Sequence, residues 1–503
     1  KNKAKMRPPA SGERGAYREH GAGCPAWRSE YVFVSEFAPD SPRRSRWNNI
    51  VRPLRSRNYR LFFVGQGISL TGTWMQRTAL LWLVGTMYAD EKTAAFWLGV
   101  VGFSSQIPAL LLTPLAGALA DRWNRRRMLL AAQSLAMVQS FLLAFLALSG
   151  EIQIWQIVAL SLWLGVVNAV DVPTRQSFVI EMVERPEDLT GAIALNSSLV
   201  NAGRLAGPAL GGLMTALFGV GACFLLNGFS FLAVILALLV MRTSPRSRQP
   251  GTKHVLQNLT EGLVYAFTFP PIRALLLIMA LVSLAGMPYH SLLPAFTRHL
   301  LDGGPKGYGA LVAAAGVGAL SGALYLASRF SARGLLRLIA IAPALFGSLL
   351  LVFSLNRSFP LALVLMPLLG LGQMLLMASC NTVLQTIVDD DKRGRVMSFY
   401  SLSFMGVAPL GNLLAGVAAR EFGSAATMAV GGVACVLGAI AFTRRLPRLR
   451  TLIRPIYASK GIVTDVAAGN RVAASECSGA VNGGGENCTT SPSASQDRPR
   501  FVP

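Results

Sequence analysis

The chain has 503 residues, 52% of them hydrophobic and only 14% charged, with a formal net charge of +23. Soluble domains carry about 25% charged residues, so this composition excludes an ordinary soluble globule and describes an integral membrane protein. The excess Lys and Arg lies beside apolar segments and in the tails, where membrane orientation accounts for it, so no nucleic-acid partner is expected.

Cys223, Cys380 and Cys435 fall inside apolar segments, while Cys24, Cys477 and Cys488 fall in polar tails, so no disulfide framework is expected. No Cys/His spacing reads as a metal site and no cofactor is implied. The first 50 residues contain no apolar core of a cleavable signal peptide. Lys1 and the internal Met6 suggest a start that is incomplete or over-extended.

Windows of about 20 apolar residues mark membrane-spanning helices, and they predict twelve. Six lie near 60–85, 97–118, 128–148, 154–174, 192–216 and 220–241. Six more lie near 273–294, 307–328, 335–355, 360–380, 396–418 and 424–442. The expected fold is an all-α membrane protein of twelve transmembrane helices in two pseudo-symmetric six-helix halves. A polar basic tail (1–54) precedes the first half (55–241), and a linker (242–272) leads to the second (273–445). A basic and then disordered tail (446–503) follows. The linker's apolar residues have helical spacing that suits a surface-lying helix, although a plain linker fits as well.

Connections 2–3, 4–5, 8–9 and 10–11 carry more than twice the Lys and Arg of the six connections on the opposite side. The positive-inside rule makes that set cytoplasmic, with both termini on the same side.

Polar residues stand out along this apolar background. Gln66, Gln76 and Arg77 lie on helix 1, Asn168 on helix 4, Asn196 and Asn201 on helix 5, Tyr289 and His290 on helix 7, and Gln373 and Asn381 on helix 10. These are candidates for a substrate cavity. Interhelical hydrogen bonds, worth about 1 kcal/mol each, are the alternative. The connection after helix 2 carries Gly117, Asp121, Arg122, Arg125 and Arg126, and charge so concentrated must lie at the water interface. Asp121, Arg125 and Asp171 of helix 4 are expected to form a cluster that locks one face and breaks when it opens. A static anchor is the alternative. Asn124 is expected to take the left-handed backbone of the bend. Helix 5 carries Gly203, Arg204, Gly207, Pro208, Gly211 and Gly212, a smooth ridge with a proline kink. Arg204 is costly in a bilayer and calls for a partner or a water-filled cavity.

The halves echo each other. Leu115-Ala-Gly-Ala-Leu119 recurs as Leu320-Ser-Gly-Ala-Leu324, and Gly207-Pro208 has a weaker echo at Ala408-Pro409. Internal repeats of this kind characterise transporters.

Taken together, Gly117-x-Leu-x-Asp121-Arg122-x-x-Arg125-Arg126 resembles the loop 2–3 signature of the major facilitator superfamily, with Asn124 in place of its usual Gly. The helix 5 run resembles that superfamily's antiporter motif. The stretches Gly72–Gln76, Asn168–Gln176 and Pro288–Pro294 are similar to its enterobactin-exporter-like branch, the transmembrane secretion effectors. The resemblance covers about 55–445. It implies a charge relay of Asp121, Arg125 and Asp171 against helix 11, and a monomeric efflux antiporter of a bacterial inner membrane. Such a protein would export a siderophore, another secondary metabolite or a drug, with the proton as coupling ion. Helix 1 lacks the buried acid of many proton-driven drug exporters, leaving Asp171, Glu181 and His290 as proton candidates. An uptake symporter is the alternative within the fold. A membrane-embedded enzyme or receptor is disfavoured, because no nucleophile–base pair, metal cluster or phosphate loop is present.

Overall fold

The computed structural model describes residues 51–183, 185–241, 265–329, 334–389 and 392–460, without the side chains of 114, 115, 117–122 and 186. Its first half contains α1 (Arg57–Thr86), α2 (Glu91–Arg122), α3 (Arg125–Leu148), α4 (Ile154–Met182) and the long helix Leu189–Val240. The second contains α7 (Pro270–Leu300), α8 (Pro305–Ala327), α9 (Leu335–Leu355), α10 (Phe359–Ile387) and the long run Arg393–Ser459. The expected surface helix of the linker lies outside the described residues, as do most of both tails.

Nine of these helices are long and apolar enough to cross a membrane, among the described residues. Two of the nine cross twice. At 1.5 Å per residue a straight 52-residue helix would far exceed a hydrocarbon core about 30 Å thick. Leu189–Val240 reverses at Gly219 (φ 80°, ψ 171°) and Arg393–Ser459 at Gly423 (φ 83°, ψ 164°), a backbone region open essentially to glycine alone. We label the limbs α5 and α6, and α11 and α12. With the more polar α1 the number of spans is twelve. The matching glycine reversals are clear structural evidence of the internal duplication.

Helix ends follow local chemistry. Asn124 caps α3, its side chain accepting from the Arg127 amide at 3.1 Å. Gln153 and Gln156 form a reciprocal capping box at the start of α4. Prolines occupy the first turns of α7, α8 and α10, where their missing N–H costs nothing. Two π-turns, at Val282–Gly286 in α7 and Leu402–Gly406 in α11, stand just before Pro288 and Pro409. They face one another, and the Ser283 hydroxyl donates to the Phe404 carbonyl at 2.6 Å.

Three expectations need correction. The connection 2–3 is shorter than expected: α2 runs through Gly117, Asp121 and Arg122 to its end, and only Trp123 and Asn124 lie outside helix. Asn124 is extended (φ −66°, ψ 110°) rather than left-handed, because it serves as a cap and not as a bend. The last helix continues to Ser459, past the boundary at 445, carried by buried Leu446, Leu449, Ile453 and Tyr457.

Small residues set the packing. Within the halves, α2 packs on α4 at Gly165 and Pro108, and α8 on α10 at Gly318 and Pro367, the same pairing in each copy. Between the halves, α2 meets α11, α5 meets α8, and α1 meets α7. A methyl group on Gly99 would lie 2.5 Å from the Gly416 Cα, and one on Gly212 would lie 2.6 Å from the Pro305 carbonyl oxygen. No side chain fits there, so the backbones touch.

Candidate functional site

The halves are sealed at one end, the end that carries connections 1–2, 5–6, 7–8 and 11–12. Asp90 caps α2 by accepting from both the amide and the hydroxyl of Thr93, and these bonds hold its carboxyl below the usual carboxylate range. The cap places Glu91 and Lys92 against the α11–α12 reversal. Glu91 Oε1 accepts the Ser424 amide at 2.7 Å, at the start of α12, and Lys92 Nζ donates to the Glu421 carbonyl at 2.7 Å, near the end of α11. Each charge thus meets the helix end of opposite polarity. Pro294 closes on Gly85, and Trp82 stacks on Tyr308 with ring centroids 5.8 Å apart.

Toward the other end the halves diverge. Along α1, Val64 and Ile68 are exposed, Thr71 and Trp74 half-buried and Arg77 exposed, and the stripe closes only at Trp82 and Val84. The stripe's inner end faces residues of the opposite half. Arg77 and Arg204 both lie over the Trp74 ring, their guanidinium carbons 5.3 and 5.9 Å from its centroid. Arg77 acts electrostatically on Tyr308, Arg204 on Tyr289, and both on His290. The Tyr289 and His290 rings are 4.1 Å apart, and His290 Nε2 shares a hydrogen bond with Gln373 Oε1 at 3.2 Å. The structure therefore joins Arg77, Arg204, Tyr289, His290 and Gln373 at one place between the halves. Sequence reasoning missed two members of this group, Trp74 and Tyr308. The only signal for Trp74 was its position inside the Gly72–Gln76 stretch.

Gln66, Gln76 and Asn168 belong elsewhere, inside the first half. Gln76 Oε1 accepts from the Asn227 amide at 2.8 Å and from the Ser140 hydroxyl, while its Nε2 donates to Gln139 at 3.1 Å. Nearby, Asp171 accepts from Gln133 at 2.7 Å and pairs with Arg175 at 3.4 Å. These groups line a cavity of about 60 Å³, large enough for water. Gln66 Oε1 and Gln133 Oε1 are buried there without a partner among the described residues.

The charges at the Asp121 end are divided among different tasks. Arg125 Nη1 pairs with Glu181 Oε1 at 2.7 Å, and Arg175 with Asp171 at 3.4 Å. Arg126 donates to the Leu238 and Leu239 carbonyls at 2.7 and 2.9 Å, capping the end of α6. The side chains of Gly117, Asp121 and Arg122 lie outside the described residues. On α5, Gly203, Gly207 and Gly211 face α1, whereas Pro208 and Gly212 face α8. One ridge therefore serves both the interior of its half and the seam between halves. Asn201 donates to Ser197 within its own helix, and Asn381 accepts from Gln385. Neither reaches the Arg77–Arg204 group by a hydrogen bond.

The family model described as transmembrane secretion effector matches residues 49–455. The chain is 26% identical over 395 residues to the staphyloferrin A transporter of Staphylococcus aureus, covering 77% of this chain and 97% of that one. It is 28% identical over 399 residues to the multidrug efflux pump Tap of Mycolicibacterium fortuitum, covering 77% and 93%. It is also 28% identical over 371 residues to the multi-drug resistance efflux pump PmrA of Streptococcus pneumoniae, covering 72% and 88%. A solved bacterial homologue of the human lysosomal transporter Spinster shares the fold with a TM-score of 0.60 at 16% identity, over 78% of this chain and 97% of that one. The twelve spans, the duplicated halves and these likenesses lead to one identity: this chain belongs to the transmembrane secretion effector family of major facilitator superfamily transporters.

Proposed function

We propose that this protein exports small amphipathic molecules across a bacterial inner membrane by alternating access, working as a monomer with inward proton flow as the driving force. The observation that carries this reading is the asymmetry of the seam. Backbones touch at Gly99–Gly416 and Gly212–Gly309 near one end, while the stripe from Val64 to Arg77 is open toward the other. The loop charges support a reading in which the open end and both termini are cytoplasmic. The state described is then inward-open, the state in which an exporter loads. The names of the relatives, a siderophore transporter and multidrug efflux pumps, favour the same direction and cargo class. Asp121, Arg122, Arg125 and Arg126 would latch the cytoplasmic end when it closes. Asp171, buried beside a water-sized cavity, is the favoured proton carrier.

Inside-out membrane vesicles test the reading. Under an inward-acid gradient, wild type should concentrate ethidium, and Asp121→Asn should abolish that while inserting normally. Accumulation only in right-side-out vesicles would make the protein an uptake symporter. Unchanged transport in Asp121→Asn would remove the latch assignment.

A further inference from the structure

We infer that Arg77 and Arg204 form a binding site for the carboxylate of an anionic aromatic cargo, with Trp74, Tyr289 and Tyr308 as its walls. This rests on the transport reading above and narrows its substrate class.

The argument begins with an imbalance of charge. Arg77 and Arg204 come from different helices, α1 and α5, and converge on one indole ring. Their guanidinium carbons are no farther apart than 5.3 and 5.9 Å laid end to end. Like charges so placed repel, and an arginine at membrane depth is costly. Natural spans offset that cost with an acid, yet neither arginine has a carboxylate partner among the described residues. Other arginines of the same half are served: Arg125 by Glu181, Arg175 by Asp171, and Arg126 by helix-end carbonyls. Arg77 and Arg204 have no such carboxylate partner among the described residues, and both reach toward groups of the opposite half.

A second observation points to a ligand there. The Tyr289 hydroxyl is buried without a hydrogen-bond partner and lies within electrostatic reach of Arg204. Burying a hydroxyl without a hydrogen-bond partner is costly, and a bound acceptor would relieve that cost. Guanidinium is a planar fork that matches carboxylate bidentately. The half-buried Trp74 indole offers stacking area for an aromatic body, with the buried Tyr289 and Tyr308 behind it. Loading an anion neutralises the repulsion between the two arginines.

Fluorescein, an aromatic carboxylate, and ethidium, a cation of similar size, test this on the purified full-length protein by fluorescence polarisation. Wild type should bind fluorescein at least tenfold more tightly than ethidium, and benzoate should compete better than benzenesulfonate. Arg204→Gln and Arg77→Gln should each weaken fluorescein at least tenfold and leave ethidium within twofold, with Arg204→Lys partly restoring it. Equal binding of both dyes by wild type would overturn the site without need of any variant, as would fluorescein binding that both Gln variants retain. Better competition by benzenesulfonate would overturn the carboxylate assignment. The two readings fail separately. Arginine-dependent binding without vesicle accumulation of either fluorescein or ethidium would sink export and keep the site, whereas ethidium accumulation with no fluorescein preference would sink the site and keep export.

Discussion

Glu91 and Ser424 stand 333 positions apart in the chain, yet the carboxylate of one accepts the backbone amide of the other at 2.7 Å. That bond ties the first turn of α2 to the first turn of α12, across the two halves. Lys92, the next residue, holds the end of α11 in the same way. Any motion that parts the halves at this end must break both bonds.

Replacing both members of this pair should therefore favour opening. A charge at a helix end contributes about 0.3–1 kcal/mol, so Glu91→Ala with Lys92→Ala should shift the equilibrium severalfold toward the opened seal. Ala295 is fully buried beside the Gly85–Pro294 contact. In an Ala295→Cys background, the double variant should raise the rate of labelling by an impermeant maleimide severalfold. An unchanged rate would show that the bonds do not hold the seal.

The two reversing glycines predict unequal penalties. An alanine at Gly219 would meet no atom within 4 Å and suffers only the backbone strain of its φ of 80°, about 1–3 kcal/mol. At Gly423 the same strain applies, and the added methyl would sit 3.3 Å from Glu91 Oε2. Gly219→Ala should lower the melting temperature in detergent, and Gly423→Ala should lower it further and also raise Ala295→Cys labelling. Equal effects on both readouts would separate Gly423 from the seal.

Gly207 and Gly212 occupy one helix and should fail differently. A methyl on Gly207 would press on Trp74 and on the Thr71 carbonyl at 2.9 Å, inside the first half. One on Gly212 would meet Pro305 and Gly309 of the second half. Overpacking costs about 1–3 kcal/mol. Gly207→Ala should mainly lower thermal stability, whereas Gly212→Ala should mainly part the seam and increase labelling at Ala295→Cys.

Gln76→Leu tests whether the hydrogen-bond centre of the first half is structural. Its loss leaves Asn227, Ser140 and Gln139 short of a partner, at about 0.6–1.7 kcal/mol per membrane hydrogen bond. The melting temperature should fall by several degrees while the affinity for fluorescein stays within twofold. A large affinity change with an unaltered melt would place Gln76 in the cargo site instead.

The sequence alone determined the number of spans, the two halves and the family, because these depend on apolar length, internal repetition and short local motifs, each carried by contiguous residues. The structure decided which polar residues act together. Gln76 and Arg77 are neighbours in the chain and equal as sequence candidates, yet successive helical side chains differ by about 100° in direction. That rotation sends Gln76 into the interior of its own half and Arg77 into the space between the halves, and no single sequence fixes the azimuth of α1. The same applies to the charges near Asp121, where helix ends and partners distant in sequence chose Glu181 for Arg125 and the α6 carbonyls for Arg126. Span and repeat are local properties of the chain, whereas the facing of a side chain is a property of the packed bundle.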